Sequence, residues 1–381
     1  MEPLYSIDGI PVHSTIQLAN RQAALEFPKG NLTLSYCRSC GFLANTRYDP
    51  SVQEYCTNCE ESQHFSPTFN KFAHELAQRW IDRYSIRNRT IIEVGCGKGE
   101  FLTLMCELGN NRGVGIDPSY QPWRNTSPAV SRMRFINDLY SEKYTDIAAD
   151  VILCRHTLEH IGQTGEFLRM IRRAIGPRKD MLVLFELPDV TRVLKECAFW
   201  DVYYEHCSYF SPGSLARLFR AAQFELTELS RDYGDQYLLI AGRPTESATT
   251  PSLPLEEDLR EMERLVSDFK LNVTASIARW RKMILDAKSA GKKVVIWSAL
   301  SKAVAFLTTL QIGDAIEYAT DINPQRHGKF LPITGQEIKP PAFLAEYQPD
   351  YVILMNPIYV PEVQRDLTRM NVKAKVLPVG V

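Results

Sequence analysis

Residues 202–210 read VYYEHCSYF, placing Tyr203, Tyr204, Glu205, His206 and Tyr209 directly after Phe199-Trp200. Aromatic rings alone fill cores. A carboxylate beside an imidazole must instead find partners or face a cavity where a proton can move. An unperturbed imidazole titrates near neutral pH, which suits His206 to the work of a general base. Glu205 can orient that ring, and a tyrosine hydroxyl such as that of Tyr203 can bond an oxygen as negative charge develops on it. Adjacent strand residues point opposite ways, so Glu205 and His206 share one cavity only if this stretch is irregular.

A second constellation is Glu93-Val94-Gly95-Cys96-Gly97-Lys98-Gly99, with Asp117 placed 22 residues after Gly95. Glycines so spaced let a chain turn tightly at the carboxyl end of a strand and approach a ligand, with a helix N-terminus beside it. Asp117 ends the next strand, where a carboxylate accepts hydrogen bonds from both ribose hydroxyls. The spacing is Gly-x-Gly-x-Gly with an acidic residue, Glu93, two before the first glycine. It differs from the Gly-x-Gly-x-x-Gly of pyrophosphate-bridged dinucleotides, and so favours a nucleoside without phosphates. A third group is Cys37-x2-Cys40 and Cys56-x2-Cys59, fifteen residues apart, which suits a tetrahedral and therefore structural zinc site.

The elements that must position these groups follow from periodicity. Runs at 90–94, 112–117, 133–138, 150–154 and 181–187 read as strands, and segments near 100–109 and 163–175 as helices, which together predict a parallel sheet covered on both faces. Phe72, Leu76, Trp80 and Ile81 predict a helix over 70–84 leading into that block. Ser211-Pro212 caps another helix, followed by two strands around RDYGD that form an antiparallel edge. Residues 244–256 are Pro-, Ser- and Thr-rich and read as a linker. Beyond them Leu259, Met262, Val266, Phe269, Val273, Ile277, Trp280 and Ile284 mark one long amphipathic helix ending before Gly291. KKVVIW, IEYATD and DYVILM then mark a second, smaller α/β unit. The domain reading is 1–66, a zinc-binding N-terminal segment; 67–243, the glycine-motif domain; 244–256, the linker; and 257–381, the long helix with the C-terminal unit.

With 381 residues and a formal net charge of −1, the chain has several cores and no cationic excess for nucleic acid. No run approaches the length of a membrane span and no leader pattern opens the chain, so a cytoplasmic location is expected.

The glycine motif resembles motif I of class I S-adenosylmethionine-dependent methyltransferases. That resemblance implies a Rossmann-like α/β fold with Glu93, Gly95, Gly97 and Gly99 at the methionine end of the cofactor, Asp117 at its ribose and Asp138 at its adenine. His156, in RHTLEHI, would close the pocket. YCRSCGF, FSPTF, EVGCGKGEF, FWDVYYEHCSYFSPGSL, DINPQRHGKFLPITG and ILMNPIY extend the likeness to the sugar C-methyltransferases, which act on nucleotide-linked deoxy-keto sugars. Members have a zinc-binding N-terminal segment, a central methyltransferase domain and a C-terminal Rossmann-like domain. The resemblance implies that Tyr203, Glu205 and His206 carry catalysis, with Tyr204 variable, and Tyr55 is the nearest match to a tyrosine that relatives contribute. Zn2+ at Cys37, Cys40, Cys56 and Cys59 rests on their spacing, because relatives carry an earlier cysteine pair that IDGIPVHSTIQ lacks and have acidic and aromatic residues where Cys56 and Cys59 stand. The resemblance also suggests Lys302, Asn323, Lys329 and Asn356 as a substrate cradle, although Ser298 to Lys302 lacks the glycine that relatives carry. The alternatives are O- or N-methylation of another small metabolite, and a protein that retains the fold without turnover.

Overall fold

The computed structural model describes residues 1–53, 59–246 and 251–380. Tyr55, Cys56 and part of the expected linker lie outside them. The N-terminal block contains β1 (Glu2–Pro11), α1 (Arg21–Leu25), β2 (Lys29–Tyr36) and β3 (Leu43–Asn45). The central block runs through α2 (Pro67–Tyr84), β4 (Thr90–Val94), α3 (Glu100–Gly109), β5 (Arg112–Ile116), β6 (Met133–Ile136), β7 (Val151–Arg155) and α4 (Thr164–Ile175). It continues with β8 (Leu182–Pro188), α5 (Val190–Lys195), β9 (Ser208–Tyr209), α6 (Pro212–Ala221), β10 (Phe224–Asp232) and β11 (Tyr237–Pro244). The last block holds α7 (Leu259–Ser289), β12 (Val294–Trp297), α8 (Ser301–Leu310), β13 (Tyr318–Thr320) and β14 (Glu337–Lys339). It closes with α9 (Leu344–Tyr347), β15 (Tyr351–Leu354), α10 (Val360–Arg369) and β16 (Lys375–Pro378).

The central sheet has the order β10-β11-β8-β7-β4-β5-β6, parallel from β8 to β6, with β11 antiparallel against β8. The chain leaves β4 in one direction towards β5 and β6 and returns to β7 on the other side. Ligands of such sheets sit where the order reverses, at the carboxyl ends of β4 and β7. The C-terminal sheet is all parallel, β14-β13-β12-β15-β16, and reverses in the same way between β12 and β15. Both are the Rossmann-like α/β units expected. α2 begins one turn earlier than its apolar stripe predicts, because Ser66 caps Phe69 N–H and Pro67 takes the first helical position.

The N-terminal block does not stand apart as a small segment with a core of its own. β1, β2 and β3 form an antiparallel sheet whose fourth strand is β9, from the central block. Alternation along β2 buries Leu32, Leu34 and Tyr36. These join Phe199, Trp200 and Tyr204, together with Phe269 of α7 and Phe306 of α8, in one core. The block is too apolar-poor for a core of its own, and the shared one completes it: each fully buried Leu or Phe contributes about 1.5–3 kcal/mol. Among the described residues, no helix is long and apolar enough to cross a membrane.

Candidate active site

Gly95 follows β4 with φ +71, and a β-carbon there would lie 2.7 Å from Thr157 Cγ2 and 2.8 Å from its Cβ. Only glycine lets this loop pass under the turn after β7. Asp117, at the end of β5, ties the loop down: its Oδ2 accepts from Gly97 N–H at 2.9 Å and its Oδ1 from Ser119 N–H at 2.7 Å. Glu93, Gly95, Gly97, Asp117, Asp138 and His156 all border one cavity of about 720 Å3. Gly99 does not border it. A β-carbon there would meet Phe135 Cε1 at 2.6 Å, so this glycine serves the packing of α3 against the stacked Tyr120–Phe135 pair. Glu93 is buried, with one carboxylate oxygen unpartnered, and burial pushes it up to about 8. Asp138 reaches the cavity rim, but its carboxylate is taken by Lys143 and, at 2.6 Å, by the Tyr144 hydroxyl, and these contacts hold it down to about 2.

The VYYEHCSYF loop enters from the opposite wall. His206 and Tyr203 line the cavity, their ring centroids 4.2 Å apart, and His160 meets His206 edge-on at 4.7 Å. Burial, then His160, pushes His206 well below the usual imidazole range, so it stands neutral with a nitrogen able to accept a proton. Tyr203 is pushed well up by burial and stays a phenol. Tyr204 points the other way: its hydroxyl accepts from Asp49 N–H at 2.9 Å, and its ring fills the space a side chain at Gly30 would need.

Glu205 corrects the expectation that it orients His206. It is 1% exposed, lies outside the cavity lining, and accepts from Ser14 N–H at 2.9 Å and from the Ser14 hydroxyl. The physical reason is the turn at Tyr204–Glu205, which interrupts strand alternation so that Tyr203 and His206 face the cavity while Glu205 faces back towards the N-terminal block. Its backbone carbonyl accepts from His160 Nδ1 at 3.1 Å. Glu205 thus supports the loop through its main chain and its grip on Ser14.

The described cysteines do not fit zinc. Thiolates on a tetrahedral ion with ~2.3 Å bonds stand roughly 3.8 Å apart, whereas Cys37, Cys40 and Cys59 form no group within 4.8 Å. Cys37 and Cys40 close a turn whose end is fastened by Arg217 to Cys40 O at 2.9 Å. Cys59 is buried in the cavity wall with its Sγ 3.6 Å from His13 Nε2. Cys56 lies outside the described residues.

Several functional groups escaped sequence reasoning. Residues 59–66 form a strap across the glycine loop: Lys98 Nζ, its side chain wholly buried, donates to Cys59 O at 2.7 Å and Ser119 O at 3.0 Å and pairs with Glu61 at 3.3 Å. Glu61 faces the cavity half-buried, and desolvation by the walls pushes it up to about 7 although Lys98 opposes this. Glu60 accepts from Arg124 at 2.7 Å and from Asn323 at 2.9 Å, and Arg326 donates to Glu60 O at 3.0 Å, so the strap binds both α/β units. From the C-terminal unit Lys302, Asn323 and Asn356 line the cavity and Lys329 does not. Lys302 pairs with Asp201 at 3.0 Å, and burial lowers it to about 8. Asn356 donates to Gln236 at 2.8 Å. A charged letter inside the apolar run 181–187 was the one available signal for Glu186, which binds Arg155 and His156.

Residues 69–229 match the methyltransferase domain family, and residues 245–376 match the C-methyltransferase C-terminal domain. The C-methyltransferase NovU of Streptomyces niveus is 26% identical over 293 residues, 72% of this chain and 67% of that protein. A ubiquinone biosynthesis O-methyltransferase of Pseudomonas paraeruginosa is 28% identical over 114 residues, 27% of this chain and 47% of its own length. The solved 1,6-didemethyltoxoflavin-N1-methyltransferase of Burkholderia thailandensis, with S-adenosylhomocysteine bound, aligns with a TM-score of 0.36 at 20% identity, covering 47% of this chain and 80% of that one.

Proposed function

Since the chain belongs to the S-adenosylmethionine-dependent methyltransferases and carries a C-methyltransferase C-terminal domain, we propose that it methylates a carbon beside the ketone of a nucleotide-linked deoxy sugar. The observation that carries this is the single cavity, which runs from Gly95, Gly97 and Asp117 past the neutral His206 to the strand ends of the C-terminal unit at Ser298, Asn323 and Asn356. A two-part acceptor fits such a space, with its reacting carbon at His206 and its nucleotide towards the C-terminal unit.

Gly95 and Gly97, whose lack of side chains makes the room, would hold the cofactor's methionine end and Asp117 its ribose; bound there, it would supply an electrophilic methyl group. His206 takes the proton from the acceptor carbon, Tyr203 bonds an acceptor oxygen, and the strap excludes water from above. The domain boundaries proposed are those of the sequence, with the strap as the junction of all three blocks.

The test uses S-adenosylmethionine labelled with carbon-13 in its methyl group and a series of thymidine and guanosine diphosphate keto-deoxy sugars, with product NMR as readout. A labelled methyl coupled as a carbon-bound group supports the reading. A methyl on oxygen or nitrogen replaces it with the O- or N-methylation alternative.

A further inference from the structure

The turn after β7 carries an imidazole that proton abstraction leaves unused. His156 sits in the left-handed region, φ +48, a conformation that costs free energy for any residue with a β-carbon. The turn is fastened by His156 N–H to Glu186 O at 2.8 Å, and ring Nε2 lies 2.9 Å from Glu186 Oε1. The Glu186 side chain has no exposed surface, and its other oxygen accepts from Arg155 Nε at 2.6 Å, so a buried carboxylate lies between two basic groups. His156 Nδ1 stands 3.8 Å from Glu159 Oε1, beyond hydrogen-bond reach. The ring packs against Tyr237 of β11 at 4.5 Å between centroids, and 27% of the side chain is open, towards the cavity.

These surroundings set the charge. Burial alone would lower His156, but Glu186 and Glu159 outweigh it and hold the imidazole up to about 9. Burial would likewise raise Glu186, and Arg155 with His156 holds it at about 2 instead. His206 is driven the other way, by burial, His160 and then His156 itself. One cavity therefore keeps one histidine charged and another neutral, a split that separates a proton acceptor from an electrophile.

We infer that His156 donates a hydrogen bond from Nδ1 to the acceptor's carbonyl oxygen, so that the enolate forms against a fixed cation. The inference rests on the C-methylation reading. As His206 takes the proton from carbon, the C–H electron pair becomes the new C–C π bond and the carbonyl π pair moves to oxygen, where His156 holds it. When that carbon attacks the sulfonium methyl, the methyl–sulfur pair returns to sulfur, the carbonyl re-forms and His206 passes its proton to water. The charged and titratable groups that face His156 are Glu186 and, through it, Arg155; Glu159 on its own turn; Tyr237 from β11; and His206 across the cavity.

The test is hydrogen exchange without methyl transfer. With S-adenosylhomocysteine in the cofactor site and a thymidine diphosphate keto-deoxy sugar in D2O, the wild-type protein should exchange the hydrogen beside the ketone, followed by proton NMR. His156→Gln should slow that exchange about 10²–10³-fold, as for loss of one oxyanion donor, and calorimetry with S-adenosylhomocysteine shows whether the cofactor pocket is intact. Glu186→Gln should move the His156 ring titration, read by NMR of histidine-labelled protein, from about 9 towards the ordinary ~6.5. Wild-type exchange in His156→Gln overturns the inference and leaves C-methylation standing. So does a His156 titration in the wild-type protein at or below the ordinary imidazole range, which decides the matter even if Glu186→Gln fails to fold. Absence of exchange in the wild-type protein overturns the reading and the inference together.

Discussion

Replacing Gly95 with alanine tests the geometry of the cofactor loop most directly. The new methyl group would sit 2.7 Å from Thr157 Cγ2 and 2.8 Å from Thr157 Cβ, closer still to the hydroxyl, at a backbone φ of +71. The left-handed backbone costs about 1–2 kcal/mol for alanine, and overpacking adds about 1–3 kcal/mol. The Gly95 N–H bond to Ile116 O at 2.9 Å ties the loop to the strand that leads into Asp117, so the loop cannot move away without disturbing Asp117. Relaxation therefore appears as lost cofactor affinity. A loss of about 2–5 kcal/mol corresponds to ~30-fold to several-thousand-fold weaker binding of S-adenosylhomocysteine, measured by calorimetry beside thermal unfolding. Thr157→Ala in the same background removes the hydroxyl and Cγ2 but leaves the close Cβ and the φ, and should restore roughly half of the loss. Unchanged affinity and melting temperature in Gly95→Ala, or a double variant no better than the single one, would refute the steric account.

His206→Ala should lower methyl transfer by about 10²–10⁴-fold while calorimetric affinity for S-adenosylhomocysteine stays near wild type; normal turnover removes His206 from the mechanism. Asp117→Ala forfeits the acceptor of Gly97 N–H and Ser119 N–H along with the ribose contacts proposed for it. It should weaken the cofactor about 10- to 100-fold, one charged hydrogen bond contributing about 1.5–3 kcal/mol, and retained affinity counts against that assignment. Buried Glu362 accepts from Ser66 Oγ at 2.8 Å and Thr68 N–H at 3.1 Å. In Glu362→Ala, amide exchange across 62–70 should quicken at least ~10-fold, and unaltered protection there would show that the strap is held elsewhere.

The parts of the fold that local pattern determines were legible. β4 and α3 fall at the residues read from the sequence, because a strand of apolar and β-branched residues followed by a glycine turn and a helical stripe leaves few alternatives. The long α7 and the antiparallel β10–β11 edge were readable for the same reason. The N-terminal sheet was not, since its fourth strand, β9, lies far along the chain and its core partners sit on α7 and α8. Within the site, His206 and Tyr203 were found by residue type, whereas the outward turn of Glu205 depends on a main-chain conformation that residue type does not encode. Lys98 gave no signal of its own because two of its partners, Cys59 and Glu61, belong to a strap that folds back over it from 37 and more residues away. Cysteine spacing pointed to a zinc site that the described residues do not assemble: Cys37 and Cys40 close a turn beside Arg217 and Cys59 lies beside His13, while Cys56 is outside the described residues.

The pairing of β3 with β9 also sets an order of events at the ribosome. Three strands of the N-terminal sheet emerge early, while the strand that completes it, and draws His206 into place, follows roughly 160 residues later; at 5–20 residues per second that is a wait of roughly 10–30 s. For that interval β3 offers an unpaired edge, the kind of surface on which nascent chains aggregate. Its three residues, Leu43–Asn45, make that edge very short, and shortness is one of the ways proteins protect an exposed strand.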